Sequence, residues 1–327
     1  MRTSLSVGFI GLGHVGSKLA AHLLESGHSL SVLDLDDDAA APLLAAGARW
    51  GENPRNLAES VDFLITCLPN PAASASVMEG PQGALEGLSE GQHWLEMSTT
   101  DAREVQRLGE RVRRRGAEPA DCPVSGGCHR AATGNIAIFA GCERPVFQRI
   151  LPVLTQMGRE ILHTGELGSA SKLKVLTNYL ATANLVSLCE ALVTAERTGM
   201  DLATTYEAIR ISSGNSFVHE TESQVILNGS RDINFTLDLV LKDISLFQDL
   251  ADQGGVPLEL SPLLIKIFRD AAQRYGAREW SPNVIRRLED ATGARITAPG
   301  FPAEILDTEP RGLGHEVSPR TRPEPVN

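Results

Sequence analysis

The chain has 327 residues, with 30 Lys plus Arg against 41 Asp plus Glu, a formal net charge of −11. That length allows about two domains, and the acidic balance excludes nucleic acid as the main partner, because binders of polyanions carry a basic face. A hydrophobic fraction of 42% with 22% charged residues supplies a core and excludes wholesale disorder. No uninterrupted apolar run approaches the roughly 20 residues of a spanning helix, so no membrane partner is expected.

The chain opens on Met1-Arg2 and the apolar stretch Leu5 to Ile10. This could front a signal peptide, but no small-residue cleavage site follows and the stretch runs straight into a glycine-rich turn. Val7–Ile10 reads as a first strand, Ser17–Ser26 as a helix that Gly27 closes, and Leu30–Leu33 as the next strand. Further buried-strand candidates are Phe63–Cys67, Trp94–Met97, Glu118–Cys122 and Ile136–Ala140. Thr100–Arg115 reads as a charged surface helix. Its Arg113-Arg114-Arg115 run suits a solvated helix C-terminus, where positive charge complements the macrodipole; a patch for an acidic partner is the other reading. The five cysteines (67, 122, 128, 142 and 189) are odd in number, scattered, and form no C-x-x-C pair. Neither a disulfide framework nor a zinc site is expected, and the chain reads as cytoplasmic, reduced and metal-free.

Past His163–Gly168 the character changes. Ser171–Thr198 is a long helical stretch without internal Gly or Pro, ended by Gly199. Helical patterns follow at Leu202–Ser212, Phe217–Leu227, Leu237–Asp252, Leu260–Tyr275 and Pro282–Thr292, with no strand signal among them. A helix that long must bury Leu173, Leu176, Leu180, Leu185, Leu188 and Leu192, against the other domain or a second subunit. From Ala298 onward prolines accumulate and large apolar residues thin out, so a flexible extension is expected. The expected division is 1–165, 166–296 and a tail over 297–327.

The most specific local signal is Gly11-Leu12-Gly13-His14-Val15-Gly16. It follows a strand, opens a helix, and is followed about 20 residues on by Asp34 at the end of the second strand, the arrangement of a dinucleotide fingerprint. Gly11 permits the tight turn, Gly13 lets the backbone approach a pyrophosphate, and Gly16 lets helix pack close to strand. The helix N-terminus then offers N–H groups and partial positive charge to the phosphates. Asp34 can accept hydrogen bonds from ribose hydroxyls and repels a 2′-phosphate. The next residues are Leu35 and Asp36 to Asp38 with no arginine, so NAD is expected over NADP. Two further loops, Cys67-Leu68-Pro69-Asn70 and Met97-Ser98-Thr99-Thr100, follow strands at the sheet edge where such ligands gather. Leu68, Pro69 and Thr99 are cofactor candidates on that ground, although Pro69 and Asn70 also suit an ordinary turn.

A nicotinamide enzyme needs a proton donor or acceptor near the carbon that exchanges hydride. Lys174 and Asn178 are four residues apart and share one helix face, whereas Lys172 lies on another. A partly buried ammonium exchanges protons near neutral pH and a neighbouring amide orients a hydroxyl or carbonyl; from spacing alone, an ordinary surface helix is the simpler reading, since surface helices are full of lysines. Ser125-Gly126-Gly127 exposes N–H groups and a hydroxyl that suit a carboxylate, or forms a plain loop. In Lys242-Asp243 the carboxylate could hold the lysine in place, or the two form a surface pair of little worth.

Together Gly8-Phe9-Ile10-Gly11-Leu12-Gly13, Leu68-Pro69-Asn70, Asp121-Cys122-Pro123-Val124-Ser125-Gly126-Gly127, the segment Gly165 to Asn178 and Lys242-Asp243 stand in an order that resembles the β-hydroxyacid dehydrogenases. Among these are the 3-hydroxyisobutyrate dehydrogenases and tartronate semialdehyde reductases, with 6-phosphogluconate dehydrogenase as a larger relative. The resemblance covers about Leu5 to Gly293. It implies an α/β fold: a Rossmann-type doubly wound, mainly parallel sheet followed by an all-α domain with a long interdomain helix, and an active-site cleft between the two. It further implies Lys174 as the catalytic acid/base, Asn178 as a substrate-placing residue, Ser125, Gly126 and Gly127 as the carboxylate site, and Lys242 lining the site near the nicotinamide.

Three departures from the family pattern fall beside that site. Arg130-Ala131, preceded by Cys128 and His129, stands where Gly-Ala is usual; Thr177-Asn178 replaces Asn-Asn; and Ala170 replaces a common glycine. Arg130 is read as meeting a second anionic group or as pointing to solvent. The expected protein is an NAD-dependent dehydrogenase of a small 3-hydroxy carboxylic acid, working as a homo-oligomer, a dimer or tetramer. The alternatives are an imine reductase on the same fold, whose members usually lack the lysine, and a non-catalytic dinucleotide-binding module.

Overall fold

Alternation of short apolar runs with amphipathic stretches gives, in the computed structural model, which describes residues 4–319, the order β1 (Ser6–Ile10), α1 (Gly16–Glu25), β2 (Ser29–Leu33), α2 (Asp37–Ala45), β3 (Arg49–Trp50), α3 (Pro54–Glu59), β4 (Phe63–Thr66), α4 (Pro71–Glu79), α5 (Ala84–Gly87), β5 (His93–Glu96) and α6 (Ala102–Arg114). The chain continues through β6 (Glu118–Asp121), β7 (Val124–Ser125), α7 (Gly127–Thr133), β8 (Ala137–Gly141), α8 (Arg144–Met157) and β9 (Glu160–Gly165). After them come α9 (Ser169–Arg197), α10 (Leu202–Arg210), α11 (Phe217–Asn228), α12 (Leu237–Gln253), α13 (Leu260–Tyr275), a 3-10 turn (Ser281–Ile285), α14 (Arg286–Thr292) and a last strand, β10 (His315–Val317).

The strands form one sheet in the order β10-β9-β8-β6-β5-β4-β1-β2-β3, with β7 beside β8. Strands β1 to β6 pair in parallel, β8 runs antiparallel to β6, and β9 and β10 continue parallel to β8. Because successive strand residues face opposite sides, Val7, Phe9, Phe63 and Ile65 join the core beneath α1 and α8, with Leu19, Leu23, Phe147 and Ile150. Ile10, Leu64 and Trp94 face the other layer, with Leu57, Met78, Val105 and Leu108. Two covered faces explain why the strands read as continuous apolar runs. The parallel strands therefore bring the ends of β1, β2, β4, β5 and β6 to one edge of the sheet. The Arg113–Arg115 run closes α6, with Asp101 capping the helix start.

Two compact units result: one runs to Lys174 and resumes at Thr308, the other is Val175–Asp307. The second is helical, with Leu185, Leu188, Leu192, Leu227, Ile244 and Phe268 fully or almost fully buried together. Of the six α9 leucines expected to be buried against the other domain or a second subunit, Leu173, Leu176 and Leu180 are 37, 40 and 59% exposed in the single chain. No described helix is long and apolar enough to cross a membrane. Disulfides are absent among the described residues and all five cysteines are free, four of them buried.

The segment from 297 corrects the expected flexible tail. Ala298 N–H bonds Leu227 O at 2.8 Å, Asn228 donates to Phe301 O at 2.8 Å, and Phe301 meets Tyr206 edge-on. Further on, β10 pairs in parallel with β9, and Arg144 forks onto Glu316 at 2.5 and 2.9 Å. Low apolar content concealed this because the anchoring comes from backbone pairing and ion pairs. Residues 320–327 of that expected tail, like Met1-Arg2, lie outside the described residues.

Candidate active site

The fingerprint turn sits between β1 and α1. Gly11 has φ +99°, and a Cβ there would fall 2.3 Å from Cys67 O; a Cβ at Gly16 would fall 2.1 Å from Gly11 O. Both positions demand glycine for close backbone packing. Gly13 differs: a Cβ would meet nothing within 4 Å, and Gly13 and His14 are exposed. The turn is thus tight inside and open outside, a cradle shaped for a group that approaches the backbone. Helix α1 starts at Gly16 after Val15, without a side-chain cap and without an acidic residue in its first turn, leaving N–H groups and helix dipole directed at that opening. Asp34, just past β2, accepts Leu12 N–H at 2.5 Å and Asp36 N–H at 3.0 Å. The sequence-predicted carboxylate and glycine turn are therefore joined directly. These residues fit a dinucleotide.

Leu68 and Pro69 follow β4, and Thr99 follows β5, on the same sheet edge. The two loops are tied together: Leu68 N–H donates to Ser98 Oγ at 2.7 Å, and Ser98 in turn bonds the carboxyl of Glu96. Glu96 is 1% exposed, and burial pushes its carboxyl above the ordinary glutamate range. Asn70 is a helix cap, its side chain accepting Ala73 N–H at 2.8 Å.

After β6, Ser125 ends β7 and Gly126 and Gly127 take φ +128° and +83°, opening α7. This left-handed pair is what a side chain would strain, and it leaves Gly127 exposed. Immediately before the loop, Asp121 turns inward: it is fully buried, and its two oxygens accept Gly168 N–H at 2.9 Å and Ser171 N–H at 2.7 Å. A carboxylate with two backbone donors is fixing the start of α9. Burial lifts its pKa to about 6 against the opposing pull of those bonds.

One turn further along α9 comes Lys174, 8% exposed, whereas Lys172 is exposed. That contrast separates the two lysines, as their faces predicted. Asn178, the next turn, donates through Nδ2 to Asp243 Oδ2 on α12, and Lys242 Nζ lies 2.7 Å from Asp243 Oδ1. Asp243 is 2% exposed. Asn178 and Lys242, distant in sequence, thus share one buried carboxylate, and Tyr179 stacks on Phe247 4.0 Å away beside them.

The comparisons bear directly on this arrangement. Residues 6–165 match the NAD binding domain of 6-phosphogluconate dehydrogenase, and 168–288 match the NAD-binding domain of NADP-dependent 3-hydroxyisobutyrate dehydrogenase. The 2-(hydroxymethyl)glutarate dehydrogenase of Eubacterium barkeri is 33% identical over 91% of this chain and 99% of its own. The chain belongs to the β-hydroxyacid dehydrogenase family. The 3-sulfolactaldehyde reductase of Escherichia coli is 31% identical over 84% of this chain and 93% of that one. The crystal structure of 3-hydroxyisobutyrate dehydrogenase from Salmonella typhimurium superposes with a TM-score of 0.81 at 28% identity, over 87% of this chain and all of that one. A nicotinamide dinucleotide is the cofactor of this β-hydroxyacid dehydrogenase.

The contacts of four residues around the site emerge only from the fold. Asp121 lies 47 and 50 residues from the two amides it holds, so no local pattern announces it. Glu96 bonds its near neighbour Ser98, which reaches the adjacent strand's loop only through Leu68 N–H, 30 residues away in sequence. Arg130 carries its signal in the departure from the family pattern: its guanidinium lies 3.7 Å from Glu309 in the C-terminal segment.

Proposed function

We propose that this β-hydroxyacid dehydrogenase oxidises a small 3-hydroxy carboxylic acid, or reduces the matching semialdehyde, with NAD preferred and Lys174 as the general acid/base. The observation that carries the reading is a buried lysine one turn into a helix whose start is pinned by a buried carboxylate. Residues 11–16, Asp34, Leu68, Pro69 and Thr99 hold the dinucleotide, with Lys242 nearby. The bound dinucleotide supplies the hydride acceptor.

In the oxidative direction Lys174 Nζ takes the hydroxyl proton. Asn178 spends its Nδ2–H on Asp243, which fixes the amide flip and leaves Oδ1 as the acceptor for the hydroxyl or the ammonium. Ser125 Oγ–H and the Gly126 and Gly127 N–H groups donate to the substrate carboxylate. That grip sets the reacting carbon, and such positioning lowers barriers by several kcal/mol. The acids named in the relatives' activities support the substrate class. The three exposed leucines of α9 support a homo-oligomer, dimer or tetramer.

Lys174→Ala is expected to reduce turnover by about 10²–10⁴-fold while leaving NAD affinity nearly unchanged by calorimetric titration. Near-normal turnover in the variant overturns the assignment. For the acceptor, the Asp34 carboxylate, with one oxygen already on Leu12 N–H, repels a 2′-phosphate. NAD is expected to bind at least about tenfold tighter than NADP, an advantage of about 1.4 kcal/mol. Asp34→Ser should narrow that gap; equal affinities in the parent enzyme defeat the NAD preference.

A further inference from the structure

Arg130, the residue that departs from the family pattern, sits on α7, the seven-residue helix that begins at the carboxylate loop. Its stem packs against the loop itself: a Cβ at Gly126 would lie 3.1 Å from Arg130 Cδ. Its guanidinium faces Glu309 at 3.7 Å. Glu309 does more than pair with it. Its other carboxylate oxygen accepts from Arg159 at 2.9 Å, and its backbone carbonyl accepts from Asn135 Nδ2 at 3.0 Å. Asn135 is 3% exposed, bonds Arg130 O through its own N–H at 2.9 Å, and accepts Gly312 N–H at 3.3 Å. Arg311 completes the set, donating to Gln156 O at 2.8 Å while its guanidinium lies against Gly134, the residue that ends α7. The segment 309–312 therefore grips the far end of the helix whose near end is the carboxylate loop. The family model's match ends at residue 288, before this segment begins.

We propose that residues 309–312 are a positioning element for substrate, holding the Ser125–Gly127 loop in its binding geometry through Arg130, Asn135 and α7. A helix of seven residues is only about 10 Å long and moves as one piece, so restraint at Gly134–Asn135 is transmitted to Gly126–Gly127. The exposed Arg130–Glu309 pair contributes little by itself; the hold comes from several bonds acting on one short element. This inference rests on the carboxylate-site reading above, but its first test does not.

The test compares the full-length parent with Asn135→Ala/Glu309→Ala, and with Arg144→Ala as a control. Arg144 anchors β10 through Glu316 without touching α7. Amide hydrogen exchange should quicken about tenfold across residues 126–135 in the double variant and stay at parental rates in the α1 amides. The control should leave 126–135 unchanged. Unaltered exchange at 126–135 in the double variant, or equal quickening in the control, overturns the proposal. On a hydroxy acid that the parent oxidises, KM for the acid should rise about tenfold with kcat and NAD affinity held within about twofold. A merely structural loss would lower the active fraction and leave KM alone. If the parent oxidises no hydroxy acid, the carboxylate-site reading fails while the exchange result still decides the buttress.

Discussion

Asp121 bears two loads that pull against each other. Its carboxylate accepts two backbone N–H groups at the start of α9, which favours the charged form, while full burial disfavours it and leaves the pKa at about 6. Asp121→Asn keeps the shape but can present only one acceptor, so either Gly168 or Ser171 loses its partner. An unmet buried donor costs about 1–3 kcal/mol, and a small shift of the first turn displaces Lys174, three residues past Ser171. We expect a loss of that size in denaturant unfolding, together with a kcat reduced at least about tenfold, since misplacement by an ångström can cost 10²-fold. Unchanged kcat would assign Asp121 to the fold alone. The pH behaviour follows from the sign of the shift. The folded pKa lies above the unfolded value of 3.8, so this group's contribution is full below about pH 4 and is lost as pH rises through 6. It amounts to up to about 3 kcal/mol. Parent and Asn variant should therefore differ in stability by a pH-dependent amount across that window, and a constant difference would refute the shift. None of this is legible in the sequence, where Asp121 reads only as part of a strand and as the start of a family motif. The glycine turn and Asp34 were legible because their chemistry is local: each glycine's task is set by neighbours within one βαβ unit.

At the scale of elements, α9 and α12 are joined by one buried carboxylate. Lys242→Met removes the cation from Asp243 and leaves a charge 2% exposed beside Asn178 alone. Breaking a buried pair from one side costs about 3–5 kcal/mol, whereas replacing both partners with apolar groups is often far milder. Lys242 itself keeps some exposure, so about 3 kcal/mol is expected for Lys242→Met and distinctly less for Lys242→Met/Asp243→Leu. Strict additivity of the two substitutions in unfolding experiments would deny the coupling. The helix itself was plain from the uninterrupted stretch Ser171–Thr198, and its two catalytic candidates from the family motif, because their four-residue spacing alone describes a surface helix. The destination of its leucines was not. Leu185, Leu188 and Leu192 share one buried cluster with residues of α10 to α13, and only those partners decide which side of α9 is covered.

For the molecule as a whole, the three leucines left on the surface of α9 predict association. Light scattering behind size exclusion should give the mass of a dimer or tetramer, and Leu176→Glu/Leu180→Glu should shift it toward one chain. A monomeric parent at micromolar concentration would dismiss the expectation. Composition correctly placed the α/β half before the helical half, because periodicity changes visibly near residue 165. It failed at the end of the chain, where three residues of strand need only a vacant edge and the apolar content is too low to announce them.

That last strand has a consequence for biosynthesis. β10 completes the sheet beside β9, about 155 positions earlier in the chain. A ribosome making this protein releases the helical unit from its exit tunnel before the residues that close the nucleotide-binding sheet have been polymerised. Such distant pairing is slow to form. Until it forms, β9 offers an open border to any neighbouring nascent polypeptide, so the earliest portion to be translated is the latest to be finished.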